Sequence, residues 1–362
     1  MEPLQYTIPF ATAFGIALAA TPVVGRLALA VGAVDRPNER KVSVRENMPL
    51  LGGLAVALAC GLGLLVAAAF DPEILDAKLR GLFLGALVIL VLGVIDDRFG
   101  VGARTKLTGQ ILASLIVIAH GFEIFRITNP VSGEPMELPR WVVWVGTTFW
   151  IVAVTNALNL LDGLDGLASG VAAIIAATLS ILAWQAGYPL PVCLGISLVG
   201  ALLGFLPHNF SPARIFLGDT GSLFVGFLLA LQAVETYRRV SFITLLVPLM
   251  TLAVPLLDTT LSIVRRLRKG APIFAADREH MHHRLLDVAG SARAAVLQFY
   301  FLTGAFCLIA ISFSRLEGIW AVAFLLAVIA LTVRLLWNLG VLSLDEEPED
   351  PELRGAIEGS ER

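Results

Sequence analysis

The sequence predicts an all-α, polytopic membrane protein with about ten or eleven transmembrane helices. Of its 362 residues, 57% are hydrophobic and only 15% are charged. Apolar runs of about 20 residues, the length that crosses a bilayer as a helix, recur from one end of the chain to the other. A large soluble core would explain one or two such runs, but it would not explain their repetition.

The apolar windows follow one another with short connections, so no linker is long enough to hold a second folded domain. We therefore predict one multispanning domain over residues 1–342 and an acidic, proline-containing tail over residues 343–362 that is solvated and disordered. The windows are residues 8–32, 50–70, 80–96, 107–121, 141–158, 165–187, 190–207, 220–236, 240–264, 295–313 and 317–338.

The distribution of lysine and arginine predicts the orientation in the membrane. With an outside N-terminus, one set of loops carries about twice as many basic residues as the other, which makes that set cytoplasmic and places the C-terminus inside. The unusual polar segments all fall on this predicted cytoplasmic side, which points to an active site at that face. They are residues 35–45, 96–106, 156–165, 208–222 and 277–284.

Charge and cysteine content exclude several function classes. The formal net charge is −3 and no basic tract suggests binding to nucleic acid. Cys60, Cys193 and Cys307 lie far apart in apolar segments, without the spacing of a zinc site. We expect them to be small apolar side chains in helix packing.

Asp96 and Asp97 close an apolar helix, and this pair is the first candidate for chemistry. Adjacent carboxylates repel each other and are unfavourable near a membrane, so a cation should compensate them, and Arg98 is the next residue. The pair could bind metal or take part in catalysis. It could also be a solvated helix end held by ion pairs.

Four amide or carboxylate side chains recur every third residue at the end of the next apolar span but one. They are Asn156, Asn159, Asp162 and Asp165. Successive members are neighbours on a helix, although the row drifts around it. Because Asn and Asp side chains bind nearby backbone groups, the alternative is a structured turn that ends the helix.

A polar loop over residues 207–222 enters another apolar helix. Asp219 and Ser222 lie where a helix N-terminus would offer N–H groups and a positive dipole to an anion. The alternative is an ordinary N-cap formed by Asp219 or Thr220.

A further polar segment, residues 277–284, holds three of the five histidines beside two arginines. No second cluster completes a zinc site, so phosphate recognition suits it better, and a surface segment is the alternative.

Together, inner-face carboxylates, amides and basic groups predict oxygen ligation of Mg²⁺, or of Mn²⁺ as a substitute, in phosphoryl transfer with a lipid partner.

These segments resemble, in order, the motifs of the polyprenyl-phosphate N-acetylhexosamine-1-phosphate transferases. The form His280-Met-His282-His283-Arg284 looks like the branch that uses N-acetylglucosamine (GlcNAc) rather than the related lipid I translocase. Ser43 stands where many relatives have a histidine. The matching stretches are residues 35–41, Pro49 with Gly52 and Gly53, Asp96-Asp97 with residues 106–110, residues 156–167, 209–226 and 280–284.

The resemblance implies a Mg²⁺-dependent reaction in a bacterial cytoplasmic membrane. UDP-N-acetylhexosamine, most simply UDP-GlcNAc, and polyprenyl (undecaprenyl) phosphate would give polyprenyl-diphospho-N-acetylhexosamine and UMP, the first membrane step of a cell-surface glycopolymer. A homodimer is also expected from relatives. Asp219 would bind metal, and Asp97, with Asp96 beside it, would assist the attacking lipid phosphate.

The same resemblance implies the substrate contacts. Asp162, Asp165, Asn209 and Phe216 would contribute to the nucleotide site, and the histidine segment would hold phosphate or sugar. The full set of implied substrate-binding residues is Lys41, Lys106, Asn156, Asn159, Asp162, Asp165, Asn209, Phe216, His280, His282, His283 and Arg284.

Elementary chemistry favours a single displacement. A phosphate monoester has its second pKa near 6, so the lipid nucleophile is largely ionised at neutral pH and needs no strong base. We therefore predict direct in-line attack rather than a covalent aspartyl intermediate.

The main alternative function is a transporter of a lipid-linked or phosphorylated sugar, which predicts repeated halves and midplane polar groups. An intramembrane aspartyl protease and a CDP-alcohol phosphotransferase fit the motifs less well.

Overall fold

A computed structural model describes residues 4–35, 48–123, 126–128, 135–237, 239–241, 246–268 and 290–314, together with single helical residues between 323 and 334. The chain divides into two compact units, Met1–Arg315 and Leu316–Arg362. All the helices and strands named below belong to the first unit. The predicted division into residues 1–342 and 343–362 stays a prediction.

Helices dominate the first unit, in agreement with the predicted all-α class. The second and third helices are joined by a short connection that contains a 3₁₀ turn (Pro72–Ile74). The helices are α1 (Leu4–Val31), α2 (Gly52–Phe70), α3 (Ala77–Phe99), α4 (Ala103–Ala119), α5 (Arg140–Leu161), α6 (Leu167–Gln185), α7 (Pro189–Asn209), α8 (Gly218–Thr236), α9 (Leu246–Thr251), α10 (Ala253–Arg268) and α11 (Ala292–Phe313).

Seven helices within the described residues are long and apolar enough to cross a membrane: α1, α2, α3, α5, α6, α7 and α11. Many of their large apolar side chains face outward, where the hydrocarbon of a bilayer would surround them. The prediction of a multi-pass membrane protein is therefore confirmed. Of the predicted window 317–338, the structure describes eight residues between 323 and 334, and all eight are helical.

Helix α8 forms the centre of the first unit. Almost every residue from Gly218 to Thr236 is buried, and α2, α3, α5, α6 and α7 all pack against it. Near the C-terminal end of α8, the Gln232 amide nitrogen donates hydrogen bonds to the carbonyl oxygens of Ala176 and Pro191 and to Ser180 Oγ, each at 3.1 Å. These bonds satisfy a polar donor that would be unfavourable in an apolar core.

Two small sheets lie between helices. Strand β1 (Val34–Asp35) pairs antiparallel with β2 (Met48–Pro49). Strand β3 (Arg126–Thr128) lies between β4 (Pro135–Glu137), which is antiparallel to it, and β5 (Arg239–Ser241), which is parallel. Neither sheet was expected from the apolar windows.

The predicted window 240–264 is not one continuous helix. It contains the end of β5, the short helix α9 and most of α10, with a turn at Leu252 between the two helices. Pro255 explains the break, because it has no N–H to donate to the carbonyl four residues earlier and its ring crowds that carbonyl.

Helix alternation brings the polar segments to one end of the bundle. Since neighbouring helices run in opposite directions, the C-terminal ends of α3, α5 and α7 lie beside the N-terminal ends of α4, α6 and α8. The predicted clustering of these segments is thus met in the described part of the chain.

Candidate active site

Lys106 is the centre of a charged cluster at this end of the bundle. Its ammonium contacts one carboxylate oxygen of Asp96, at the end of α3, and one of Asp219, at the start of α8. The other oxygen of Asp96 accepts a hydrogen bond from the N–H of Val101 at 2.7 Å. Two carboxylates from distant parts of the chain therefore converge on one cation.

Lys106, not Arg98, is the cation that contacts the acidic pair, and it does so through Asp96 alone. Arg98 lies over the ring of Phe99, with 5.1 Å between the guanidinium carbon and the ring centroid. Lys106 follows Asp96 by ten residues, and the turn between α3 and α4 brings it back to the carboxylate. The expectation that Arg98 compensates Asp96 and Asp97 is wrong, because the neighbour in sequence points elsewhere.

Asn159 orients Asp219 from the end of α5. Its amide nitrogen donates to Asp219 Oδ1 at 2.7 Å and to Ser222 Oγ at 2.8 Å. The Ser222 hydroxyl in turn donates to the carbonyl of Gly218 at 2.9 Å. The orientation of the Asp219 carboxylate is thus set from two directions, by Asn159 and by Lys106.

Asn156, one turn before Asn159, pairs with Gln110 of α4. The two amides exchange hydrogen bonds of 2.6 and 3.3 Å, and Asn156 also donates to the Val152 carbonyl at 2.8 Å. Gln110 is almost fully buried and lies one turn after Lys106. The Asn156–Gln110 pair therefore fixes α4 against α5 directly below the charged cluster.

Asp97 points away from Lys106 and toward the start of α8. Its Oδ1 accepts a hydrogen bond from the N–H of Asp219 at 2.8 Å. Its Oδ2 accepts from the N–H of Thr220 at 3.0 Å and from the Thr220 hydroxyl at 2.6 Å. The alternative suggested by the sequence was that Asp219 or Thr220 caps α8, but neither side chain does so. The cap comes from another helix.

Lys106 and Asp219 precede the apolar stretches of their helices, and each stabilises the charge of the other. Burial alone would lower the pKa of the Lys106 ammonium, but the carboxylates of Asp219 and Asp96 outweigh it and raise that pKa. Burial alone would raise the pKa of Asp219, but hydrogen bonding with Asp96 and the charge of Lys106 lower it to about 2. Asp219 is therefore an anion, and Lys106 a cation, at neutral pH.

The loop between α7 and α8, which leads to Asp219, is held by side chains from the predicted motifs. Asp165 accepts a hydrogen bond from the N–H of Ala213 at 2.9 Å. Asn209 is 2% exposed, accepts from the Ser169 hydroxyl at 2.8 Å and donates to the Ile215 carbonyl at 3.1 Å. These contacts are those of residues that shape the loop, and their implied role at the nucleotide stays a prediction.

Helix α11 braces the same loop and the turn before α6. The Tyr300 hydroxyl donates to the Gly166 carbonyl at 2.6 Å, and Arg293 donates to the Ser211 carbonyl at 2.8 Å. No sequence pattern predicted either contact, because Tyr300 and Arg293 both lie outside every recognised motif.

The remaining predicted residues divide into two groups. Asp162, at the end of α5, and Phe216, in the loop before α8, are half-buried at the same end of the bundle. The others lie outside the described residues. These are Lys41, His280, His282, His283 and Arg284. Ser43 also lies outside the described residues.

An apolar cavity of about 710 Å³ opens beside the charged cluster, between α4 and α5. Leu107, at one edge, follows Lys106 directly, and Val152, at the other, lies one turn before Asn156. The cavity is lined by Leu107, Ile111, Leu115, Arg140, Trp141, Trp144, Val145, Thr148, Phe149 and Val152. An apolar cavity next to a fixed ammonium suits a ligand with an anionic head and an apolar chain.

The donor set around Lys106 is suited to a hard divalent cation. Asp96 and Asp219 provide carboxylate oxygens, and Asn159 adds an amide beside them. Among the residues that the structure describes, no group of three or more His, Cys, Asp or Glu side chains is arranged to hold a metal. Two carboxylates nevertheless fit Mg²⁺, which is normally bound through one or two carboxylates and keeps water and phosphate ligands.

Fold and site together define a multi-pass membrane protein with a polar site at one end of a helix bundle. Residues 79–237, which carry the whole charged cluster, match the model of the family described as glycosyl transferase family 4.

Three curated relatives extend the likeness to most of the chain. A probable undecaprenyl-phosphate N-acetylglucosaminyl 1-phosphate transferase of Bacillus subtilis is 34% identical over 334 residues, covering 92% of this chain and 91% of that protein. A decaprenyl-phosphate N-acetylglucosaminephosphotransferase of Mycobacterium tuberculosis is 37% identical over 326 residues, covering 81% and 78%. An undecaprenyl-phosphate alpha-N-acetylglucosaminyl 1-phosphate transferase of Escherichia coli is 28% identical over 282 residues, covering 75% and 73%. This chain belongs to glycosyl transferase family 4, which confirms the resemblance at the level of the family.

Proposed function

We propose that this protein transfers GlcNAc 1-phosphate from UDP-GlcNAc to a polyprenyl phosphate such as undecaprenyl phosphate, and releases UMP. The observation that carries the proposal is the Lys106–Asp96–Asp219 cluster beside an apolar cavity. The names of the relatives, which cover most of the chain, support the same reaction.

The acceptor side of the reaction is assigned to the cavity between α4 and α5. A prenyl chain is apolar and fits walls made of aromatic and aliphatic side chains. Its phosphate would then lie near Lys106, whose ammonium has three N–H donors and keeps one for a phosphate oxygen after its contacts with Asp96 and Asp219. Because that ammonium already lies between two carboxylates, its position is set before the acceptor binds.

The metal side of the site is assigned to Asp219, with Asp96 and Asn159 next to it. Mg²⁺, or Mn²⁺ in its place, would be held by the Asp219 carboxylate. When bound, the ion supplies positive charge to the diphosphate of the donor. Asn159 keeps the carboxylate of Asp219 turned toward this position through its 2.7 Å hydrogen bond.

The chemical step is a single in-line displacement. An oxygen of the ionised acceptor phosphate forms a bond to the phosphorus that carries the sugar, and the bond from that phosphorus to the UMP oxygen breaks. No proton has to be removed from the nucleophile, because its second pKa is near 6. The task of the residues is therefore to position two anions and to reduce their repulsion, which Lys106 does as a fixed cation.

The donor side is assigned to the remaining residues of the motifs. Asp162 and Phe216 are half-buried at the same end of the bundle, where a nucleotide could reach them. Asn156 acts there indirectly, by holding α4 against α5 through its hydrogen bonds with Gln110. Lys41, His280, His282, His283 and Arg284 are proposed to hold the phosphates or the sugar.

The setting proposed for this reaction is a bacterial cytoplasmic membrane. The excess of lysine and arginine in the loops at the end that carries the site supports a cytoplasmic active site, with the N-terminus outside and the C-terminus inside. A nucleotide sugar is water-soluble, so a site open to the cytosol suits its supply. We also propose a homodimer.

Release of UMP is the direct test. Purified protein would be incubated with undecaprenyl phosphate, Mg²⁺ and a panel of UDP-sugars, with Asp219→Ala as the inactive variant. We expect UMP only when the lipid acceptor is present, fastest with UDP-GlcNAc, and none with the variant. Absence of UMP with every sugar, from folded protein, would reject the proposal and turn attention to sugar transport in proteoliposomes.

A further inference from the structure

Asp96 and Asp97 are adjacent in sequence, but only Asp96 contacts Lys106. Successive residues of an α-helix are turned by about 100°, so the two carboxylates point in different directions and meet different parts of Asp219, its side chain for Asp96 and its backbone N–H for Asp97. Asp97 instead accepts three hydrogen bonds of 2.6 to 3.0 Å from Asp219 and Thr220, which engage both of its oxygens.

The donors that Asp97 satisfies are those that a helix leaves open at its start. The N–H groups of the first turn have no partner within the helix, and a polar side chain at the N-cap normally accepts from the second or third of them. The N-cap of α8 is Leu217, which cannot do this. The carboxylate of Asp97 takes its place from α3, and its charge is favourable at the positive end of the helix dipole.

The close packing of α3 against α8 leaves little freedom at this contact. Gly93, one turn before Asp97, lies against the backbone of Thr220, and a Cβ at Gly93 would overlap it. Gly218, the first residue of α8, has φ +72°, and a Cβ there would overlap the Leu50 carbonyl and approach the Asp97 carboxylate. The start of α8, and with it the backbone of Asp219, is therefore held at a fixed distance from Asp97.

We infer that Asp97 is a positioning residue: it caps α8 and thereby fixes Asp219, while Asp96 is the member of the pair that faces the reacting groups. This assignment differs from the expectation that Asp97, with Asp96 beside it, assists the attacking lipid phosphate. Its kinetic consequence rests on the proposed function, but the cap itself does not.

The test compares Asp97→Ala, Thr220→Val and the double variant with the unaltered protein. Asp97→Asn, which keeps one acceptor oxygen, is the milder variant in case Asp97→Ala does not fold. The control is Asp76→Ala, because Asp76 is the side-chain N-cap of α3, accepting from Leu79 at 3.0 Å at the far end of that helix. Three quantities are measured: the melting temperature in detergent, the binding of Mn²⁺ alone by electron paramagnetic resonance, and kcat and the acceptor KM.

We expect Asp97→Ala to lower the melting temperature and to weaken Mn²⁺ binding by about 10- to 100-fold, as the loss of a residue that orients a metal ligand does. Thr220→Val should lower the melting temperature and weaken Mn²⁺ binding by smaller amounts. The double variant should lose little more melting temperature than Asp97→Ala, because both substitutions act through one cap. The acceptor KM should stay within about twofold while kcat falls. Asp76→Ala should lower only the melting temperature.

Two results would overturn the assignment. One is an acceptor KM raised tenfold or more by Asp97→Ala with Mn²⁺ binding unchanged, since this would place Asp97 at the acceptor. The other is additive losses of melting temperature in the double variant, since this would show that Asp97 and Thr220 act separately. If the unaltered protein released no UMP, the proposed function would fail, and the melting temperatures would still decide whether the cap exists.

Discussion

Lys78 and Glu235 form an ion pair, with 2.6 Å between Nζ and Oε1, at the end of the bundle opposite the candidate active site. Lys78 lies in the first turn of α3, and Glu235 lies next to the last residue of α8. A cation beside the end of a helix also complements its dipole. Together with the Asp97 cap, this pair bonds α3 to α8 at both ends of their contact.

Removal of one partner of this pair should destabilise the fold without changing the chemistry. Glu235 is only 3% exposed, so Lys78→Met removes an ammonium from a buried carboxylate and should cost about 3 kcal/mol of unfolding free energy. The double variant Lys78→Met, Glu235→Leu should regain most of that loss. Denaturation in mixed micelles measures both, and equal losses in the single and double variants would contradict the prediction.

Lys106→Met should reduce kcat by about 100-fold or more, because a fixed cation near the reacting phosphates is lost. When Mg²⁺ is absent, the variant should also be less stable than the unaltered protein, since the charges of Asp96 and Asp219 then face each other uncompensated. Added Mg²⁺ should restore much of the melting temperature. Lys106→Arg keeps the charge and serves as the control. A variant with full activity would remove Lys106 from the site.

Asn159→Leu should raise the Mg²⁺ concentration for half-maximal activity by about tenfold. The substitution removes the two hydrogen bonds that orient Asp219 and Ser222, but it adds no charge. Ser222→Ala, which loses only one partner of Asn159, should show a smaller shift. A titration of UMP release with Mg²⁺ measures the effect, and an unchanged midpoint would contradict it.

Tyr300→Phe should cost about 1 kcal/mol of stability, because the Gly166 carbonyl loses its donor while the ring remains in place. Gly170→Ala should be more severe, since a Cβ at Gly170 would overlap the Tyr300 ring. Thermal melts of the two variants test the order. If Gly170→Ala melted above Tyr300→Phe, the contact between α6 and α11 would be looser than the structure indicates.

Thr148→Trp should fill part of the cavity between α4 and α5 and raise the KM for undecaprenyl phosphate several-fold. The KM for UDP-GlcNAc should not change, because the donor does not use the cavity. Val91→Trp is a suitable control, since Val91 is 50% exposed on the outer face of α3. An equal effect on both substrates would show that the cavity does not hold the acceptor chain.

The composition and motifs of the chain predicted its class and the identity of much of the candidate site. Repeated apolar windows predicted the long helices, since the bilayer requires them. Ordered motifs singled out Asp96, Lys106, Asn159 and Asp219, which the fold brings together. Windows report only how apolar a segment is, so the turn at Leu252 and the two small sheets were not predicted.

Contacts between distant residues were the part that local patterns could not supply. Arg98 was expected to compensate the acidic pair because it is next in sequence, but Lys106 compensates Asp96 after a turn between helices, and Asp97 accepts hydrogen bonds from the start of α8. Thr220 was one expected cap of α8, but Asp97 provides the cap from 123 positions earlier in the chain. Which carboxylate faces which partner depends on how two helices are rotated against each other, and one sequence alone does not contain that information.

The polar side chains of α8 have a consequence for how the protein enters the membrane. This helix, with Asp219 at its start and Gln232 and Glu235 near its end, is not among the seven described helices that are apolar enough to span alone. Its partners Lys78, Asp97, Ala176, Ser180 and Pro191 all precede it in the chain. During synthesis, α3, α6 and α7 are therefore already made when α8 emerges. We expect α8 to leave the translocation channel sideways against these helices rather than into lipid, so the order of the helices along the chain is itself part of what makes α8 insertable.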